Sequence, residues 1–366
     1  NKVLFCYQPV VILSYYSVVG GWSVEYLFKS LSFEFTNTEA ESIQSLFGRF
    51  ISSTWEPLIT HTLFMLMVAG IILGGVKSGI ERFTKITMPA LFVLIVVMLI
   101  FSVSLPGAGA GVSYMLKPDF SKLTMSAVAA AMGQSFFSLS LGVGTILTYA
   151  SYVKKDENIF ASSIGTAISD ILFALLAGFA IMPAVFACGV EPGAGPGLVF
   201  QTLPFIFNKM GTSLPILSSL VSIIFFVTIL VAALTSAISM MEVGVSYLVD
   251  NKGMSRSWAT IIVTFFAWAV GILCSLSFGP LSEFKIVGNT IFDFLDKMCS
   301  NFLMAFGGLL FTLFVGWKMD KAAVEDEFTN SGTKKNNNFW FKPVYFLIKY
   351  VAPVAIVLIF VTNLIL

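Results

Sequence analysis

Gly133-Gln134-Ser135-Phe136-Phe137-Ser138-Leu139-Ser140-Leu141-Gly142-Val143-Gly144-Thr145 lies inside an apolar run from about Met125 to Val153. The run is longer than the roughly 20 residues a helix needs to cross a bilayer. Its middle departs from an ordinary lipid-facing span, because three serines, a glutamine and three glycines interrupt it. Serine hydroxyls offer oxygen ligands and hydrogen bonds, and glycine tolerates backbone geometry that other residues resist. A helix weakened at mid-membrane frees backbone carbonyls, and such a break survives only where protein or a watery cavity covers it. An oxygen-rich break at that depth suits an ion or a small solute. The competing reading is that small residues let helices pack closely.

Composition supports a membrane setting. The chain is 57% hydrophobic and 11% charged, with a mean hydropathy of +0.90, unlike a soluble protein that must cover its surface with polar groups. A net charge of +1 suggests no nucleic-acid partner. The four cysteines, Cys6, Cys188, Cys274 and Cys299, form no CxxC pair and read as small apolar fillers. No nucleotide loop, metal-ligand spacing or catalytic triad is present, so nothing points to an enzyme. No signal peptide is visible and the first residue is Asn1, so the true start is expected to lie upstream.

Nine apolar segments are long enough to span a bilayer: Val3–Leu27, Pro57–Val76, Ile86–Leu105, Met125–Val153, Phe160–Val190, Leu214–Val249, Trp258–Gly279, Ile286–Trp317 and Val344–Leu366. They predict an all-α integral membrane protein forming one membrane domain over residues 1–366. If the first segment runs outward, the inner loops hold Lys77, Arg82, Lys85, Lys154, Lys155, Lys252, Arg256, Lys318, Lys321, Lys334, Lys335 and Lys342. The outer loops hold Lys29, Arg49, Lys117, Lys122, Lys209 and Lys285. This excess places the amino terminus in the cytoplasm. The loops Ser30–Glu56 and Lys318–Lys342 read as polar connections without a folded domain.

Ionisable residues at membrane depth mark pathways or partners. His61 reads as a satisfied helix contact and Glu242 as a structural acid near the inner end of its helix. Asp293, Asp296 and Lys297 share one helical face, as a self-neutralising group or as a site. Asp170, beside Ser169 in an apolar run, must be protonated or find a cation. Thr235 and Ser236 point about 100° apart on a helix, so one can face a neighbour and the other a cavity. Thr235 could instead bond back to the carbonyl of Val231. Tyr15 and Tyr16 place phenols inside the bilayer, where each needs a hydrogen-bond partner, and Trp22 suits an interfacial belt.

These residues resemble the neurotransmitter:sodium symporter family in its bacterial amino-acid-transporter branch. The resemblance covers nearly the whole chain. It rests on the opening stretch and on Tyr15-Tyr16-Ser17-Val18-Val19-Gly20-Gly21-Trp22, Lys77-Ser78-Gly79-Ile80-Glu81-Arg82, Tyr149-Ala150-Ser151-Tyr152, Lys155-Asp156-Glu157-Asn158 and Leu234-Thr235-Ser236. It implies the leucine-transporter-type inverted-repeat fold, with the nine segments as family helices three to eleven and Met125–Val153 as the broken sixth. Phe137 then looks like an aromatic lid, and Ser138 like a ligand of the first sodium. Ser140 and Val143 look like pocket lining, with Ile12 and Val19 opposite. Tyr16 resembles the tyrosine that binds the substrate carboxylate, and Ser239 and Met240 resemble side-chain-pocket residues. Ala232, Thr235 and Ser236 resemble ligands of the second sodium, Ala232 by its carbonyl. Asp170 matches a family Asn at the first sodium, with Ser169 as the competing match, and Asp296 resembles the acid of the outer gate.

The resemblance implies sodium-coupled symport of an apolar or aromatic amino acid by alternating access, in a multi-pass protein of a bacterial inner membrane. Two sodium ions and the substrate are the expected partners, with lipid around them. Chloride is not expected, because Asp170 supplies a fixed negative charge. Family helices one and two do not appear, so the chain is expected to be a piece of a longer transporter. The alternatives are a binding or regulatory relative that does not transport, and an amine symporter.

Overall fold

The computed structural model describes residues 2–37, 40–154, 157–189, 198–212, 215–333 and 335–365. Lys155, Asp156, Lys334 and the segment ends at Val190, Leu214 and Leu366 lie outside these. Among the described residues the chain is helical, and its sole β pairing is an isolated bridge between Ile286 and Asn289.

The elements that matter here are α1 (Lys2–Leu31), α2 (Ala40–Ser52), α3 (Glu56–Leu73), α4 (Arg82–Ser104), α5 (Met125–Ser138), α6 (Thr145–Ala150), α7 (Ile159–Ala187), α8 (Pro215–Lys252), α9 (Arg256–Leu276), α10 (Ile291–Lys318), α11 (Lys321–Thr329) and α12 (Asn337–Val361). Eight of these are long and apolar enough to cross a membrane: α1, α3, α4, α7, α8, α9, α10 and α12. The ninth expected span, Met125–Val153, is divided into α5 with 14 residues and α6 with 6. At 1.5 Å per residue, α5 reaches about 21 Å, short of a hydrocarbon core about 30 Å thick. The break is therefore where the sequence placed it.

Local chemistry sets several ends. Pro57 stands in the first turn of α3, where its missing N–H costs nothing. The last turn of α4 gives way to extended Leu105 (φ −69°, ψ 141°), which precedes Pro106. The two polar connections, expected to hold no folded domain, each contain a short helix. Ser30–Glu56 holds α2, and Lys318–Lys342 holds α11. Each is a short amphipathic or polar helix, too weakly apolar to stand out as a span.

By spatial proximity the chain forms two compact units. The first gathers Asn1–Pro9, Asp119–Leu172 and Leu295–Leu366. In it, α5 packs on α12 and on α10, and α10 packs on α12, with Phe302 and Phe360 meeting edge to face at 5.6 Å. The second gathers Val10–Pro118 and Phe173–Phe294. Its core is built from α1, α3, α8 and α9, with Leu13, Phe64, Val68, Ile238, Met241 and Ala267 buried together. The opposite faces of α3 and α9 present Leu66, Ile261 and Phe265 outward, as helices in lipid do. A second packed layer of this unit is aromatic, with Trp22 and Tyr26 of α1 against Phe47 and Phe200.

Candidate functional site

In the first unit, α5 closes with Leu139 N–H donating to the Ser135 carbonyl (3.1 Å) and Leu141 N–H to the Phe136 carbonyl (2.9 Å). The chain then passes through left-handed backbone at Ser140 (φ 52°), Gly142 (φ 82°) and Gly144 (φ 75°) before α6 begins. Among the described residues, the carbonyls of Ser138 to Val143 accept no backbone hydrogen bond. These are the oxygens that a helix would have consumed. Ser140 is the one non-glycine in left-handed conformation here, an energetically unfavourable geometry that collects at functional sites.

Asp170 of α7 is brought to the end of α5, where Ser138 Oγ donates to Asp170 Oδ1 at 2.5 Å. A carboxyl group and a hydroxyl thus meet at the edge of the break, hard oxygens of the kind that suit a small cation. Val143 and Thr145 are buried, Ser140 is half-buried and Phe137 is exposed. Asp296, half-buried in α10, accepts from Ser300 Oγ at 3.0 Å.

The break is held by residues that sequence reading did not single out. A Cβ on Gly142 would overlap the Met304 carbonyl of α10 and lie 2.7 Å from Gly308 N. A Cβ on Gly307 would overlap the Gly142 carbonyl. Bare backbone therefore meets bare backbone. The available signal was the Gly307-Gly308 pair inside an apolar span, since small residues in membrane helices mark close approach.

In the second unit, Tyr16 of α1 is half-buried. Thr235 is buried, and its Oγ1 donates to the Ala232 carbonyl at 2.8 Å. Back-bonding therefore occurs, but to Ala232 and not to Val231. Ser239 Oγ donates to the Thr235 carbonyl at 3.0 Å, so Ala232, Thr235 and Ser239 form one chain of oxygens along α8. Ser236 is exposed, as its 100° offset from Thr235 demands. Ile12 of α1 is buried, and Val19 and Met240 are half-buried.

The other ionisable residues have structural partners. His61 Nε2 lies 2.9 Å from Ser17 Oγ, a helix contact between α3 and α1. Glu242 is fully buried and takes both arms of Arg256, at 3.1 and 2.6 Å. Asp293 Oδ2 accepts from Thr290 Oγ1 at 2.7 Å, and Asp293 N–H donates to that hydroxyl at 3.1 Å. These two bonds start α10. Cys274 and Cys299 are buried, as fillers would be.

A helix broken at an oxygen-rich stretch, inside a protein of many apolar spans, defines a membrane transporter. The sequence profile described as the Sodium:neurotransmitter symporter family matches residues 34–366, and the chain belongs to that family. Its members are transporters and not enzymes. An uncharacterized sodium-dependent transporter of Bacillus subtilis, YhdH, is 37% identical over 353 residues, covering 96% of this chain and 76% of that protein. An uncharacterized sodium-dependent transporter of Haemophilus influenzae is 35% identical over 358 residues, covering 96% and 76%. Among solved structures, MhsT in complex with L-phenylalanine matches with a TM-score of 0.87 and 38% identity, covering 99% of this chain and 80% of that one. The expected leucine-transporter-type fold is thus the one observed, and dependence on sodium follows from the family.

Proposed function

We propose that this chain carries out sodium-driven symport of an apolar or aromatic amino acid into the cell across a bacterial cytoplasmic membrane. The observation that carries the reading is the broken span, where Ser138 donates to Asp170 and the chain turns through left-handed Ser140 and Gly142 before buried Val143. The relative solved with L-phenylalanine supports the substrate class, and valine at position 143 leaves room for a larger side chain. Ser138 and Asp170 hold the first sodium, and Ala232, Thr235 and Ser236 the second. Tyr16 meets the substrate carboxylate. Ile12, Val19, Ser140, Val143, Ser239 and Met240 line its side chain, and Phe137 closes over it. Asp296 belongs to the outer gate. Ion and substrate each stabilise the same closed state, so each raises the affinity for the other. Asp170 provides the anionic charge that makes chloride unnecessary. The amino-terminal end of the chain faces the cytoplasm, following the lysine and arginine excess on that side.

Uptake of labelled leucine, methionine, phenylalanine and tryptophan into proteoliposomes tests this. Accumulation is expected with an inward sodium gradient and not with potassium in its place. Competition by glycine and alanine alone would overturn the substrate class. Binding without accumulation would replace the symporter by a non-transporting relative.

A further inference from the structure

Gly316, near the end of α10, lets that helix close on α12, for a Cβ there would stand 2.9 Å from Lys349 Cα. Two bonds fasten the contact. Trp317 Nε1 donates to the Lys349 carbonyl at 2.9 Å, and the Tyr345 hydroxyl to the Gly316 carbonyl at 3.1 Å. The Lys349 ammonium is thereby set 4.8 Å from the Trp317 ring centroid, 5.7 Å from that of Tyr350 and 5.8 Å from that of Tyr345. Lys321, the first residue of α11, lies 5.8 Å from the same Tyr345 ring. Two cations thus converge on one aromatic patch. Among the described residues neither forms an ion pair. Of the nearby acids, Asp320 is occupied in capping α11 through Ala322 N–H.

The position is the membrane boundary. The apolar run of α10 ends at Lys318, and polar sequence follows. Lys349 is half-buried, with the start of its stem against Gly316, while Trp317 and Tyr350 are exposed. Tryptophan and tyrosine take up the headgroup level of a bilayer, and a lysine one or two turns deeper sends its ammonium up to that level. Aromatic faces stabilise the cation without neutralising it.

We propose that Lys349 and Lys321, framed by Trp317, Tyr345 and Tyr350, hold the phosphate of an anionic phospholipid. The two ammonium groups take the phosphate oxygens. The exposed indole and phenol lie beside the glycerol and the upper acyl chain. A zwitterionic lipid fits less well, because its choline would add a third cation to the patch.

Native mass spectrometry of the detergent-purified transporter, titrated with phosphatidylglycerol or phosphatidylcholine, tests the assignment. Each lysine near the bilayer surface contributes about fivefold to anionic-lipid affinity. Phosphatidylglycerol retention at the tightest site is expected to weaken about fivefold in Lys349→Gln and about 25-fold in the Lys321→Gln/Lys349→Gln double variant. Phosphatidylcholine retention should not change. Lys349→Arg keeps the charge and should keep the lipid, which separates loss of the site from misfolding. Lys342→Gln, an exposed lysine outside the patch, should have no effect. Equal retention by wild type and double variant would overturn the proposal. So would equal loss in Lys342→Gln, or displacement of the lipid by inorganic phosphate at millimolar concentration.

Discussion

Replacing Arg256 with methionine should destabilise the protein more than any other single change in its charged residues. Arg256 opens α9 directly after the turn from α8, and it binds Glu242 through both arms. Its Nε also donates to the Ile72 carbonyl, at 3.0 Å, in the last turn of α3. Three helices of the second unit therefore share one guanidinium. The Glu242 side chain has no exposed surface, whereas Arg256 is 27% exposed. Taking away the arginine removes the cationic partner of a carboxylate that water cannot reach, and takes one donor from the Ile72 carbonyl. Breaking a buried pair in this way costs about 3–5 kcal/mol, a large share of the roughly 5–15 kcal/mol that holds a typical domain folded. Glu242→Gln should be milder, because the freed guanidinium keeps both water and Ile72. Glu242→Met/Arg256→Met removes both charges together, and an apolar replacement of a buried pair is commonly neutral or better. The assay is thermal unfolding of detergent-purified protein followed by circular dichroism. The expected order of melting temperatures is wild type and double variant highest, Glu242→Gln next, Arg256→Met lowest. A double variant no more stable than Arg256→Met would refute the argument that the buried charge dominates.

Gly142→Ala forces a side chain into left-handed backbone against the Met304 carbonyl. A destabilisation of about 2–5 kcal/mol is expected from backbone strain plus overpacking, read by melting, together with loss of uptake. Asp170→Asn removes the carboxyl group beside Ser138. Sodium-driven uptake should become chloride-dependent, and chloride-dependent uptake by the unmutated protein would contradict this role. Thr235→Val keeps the shape and deletes the hydroxyl that sits on the Ala232 carbonyl. The sodium concentration for half-maximal uptake should rise about tenfold, the scale of one hydrogen bond to a charge, and an unchanged sodium dependence would remove Thr235 from the second sodium site.

Much of this protein was legible without coordinates. Runs of twenty or more apolar residues can satisfy their backbone in lipid only as helices, so Pro57–Val76 or Trp258–Gly279 had no other fate. The break in Met125–Val153 was only half readable, because glycines and serines also mark close helix packing; the family resemblance implied it. The cost of burying polar groups required a partner for His61 and for Glu242, and each has one. Their partners were not readable. Ser17 lies 44 residues from His61, and Asp170 lies 32 from Ser138. Periodicity places a residue on a helix face but does not say which helix that face meets. Helix α2 escaped notice because its apolar stripe is narrow and its polar side matches a loop in composition. The meeting of Gly142 with Gly307 and Gly308 was decided only in three dimensions. A glycine carries no chemistry of its own to mark its neighbour, and its value there comes from the backbone of another helix standing where a side chain would have been. Along the chain, the solvent dictated which residues became helix; the packing of those helices decided which oxygens were left unbonded and what now faces them.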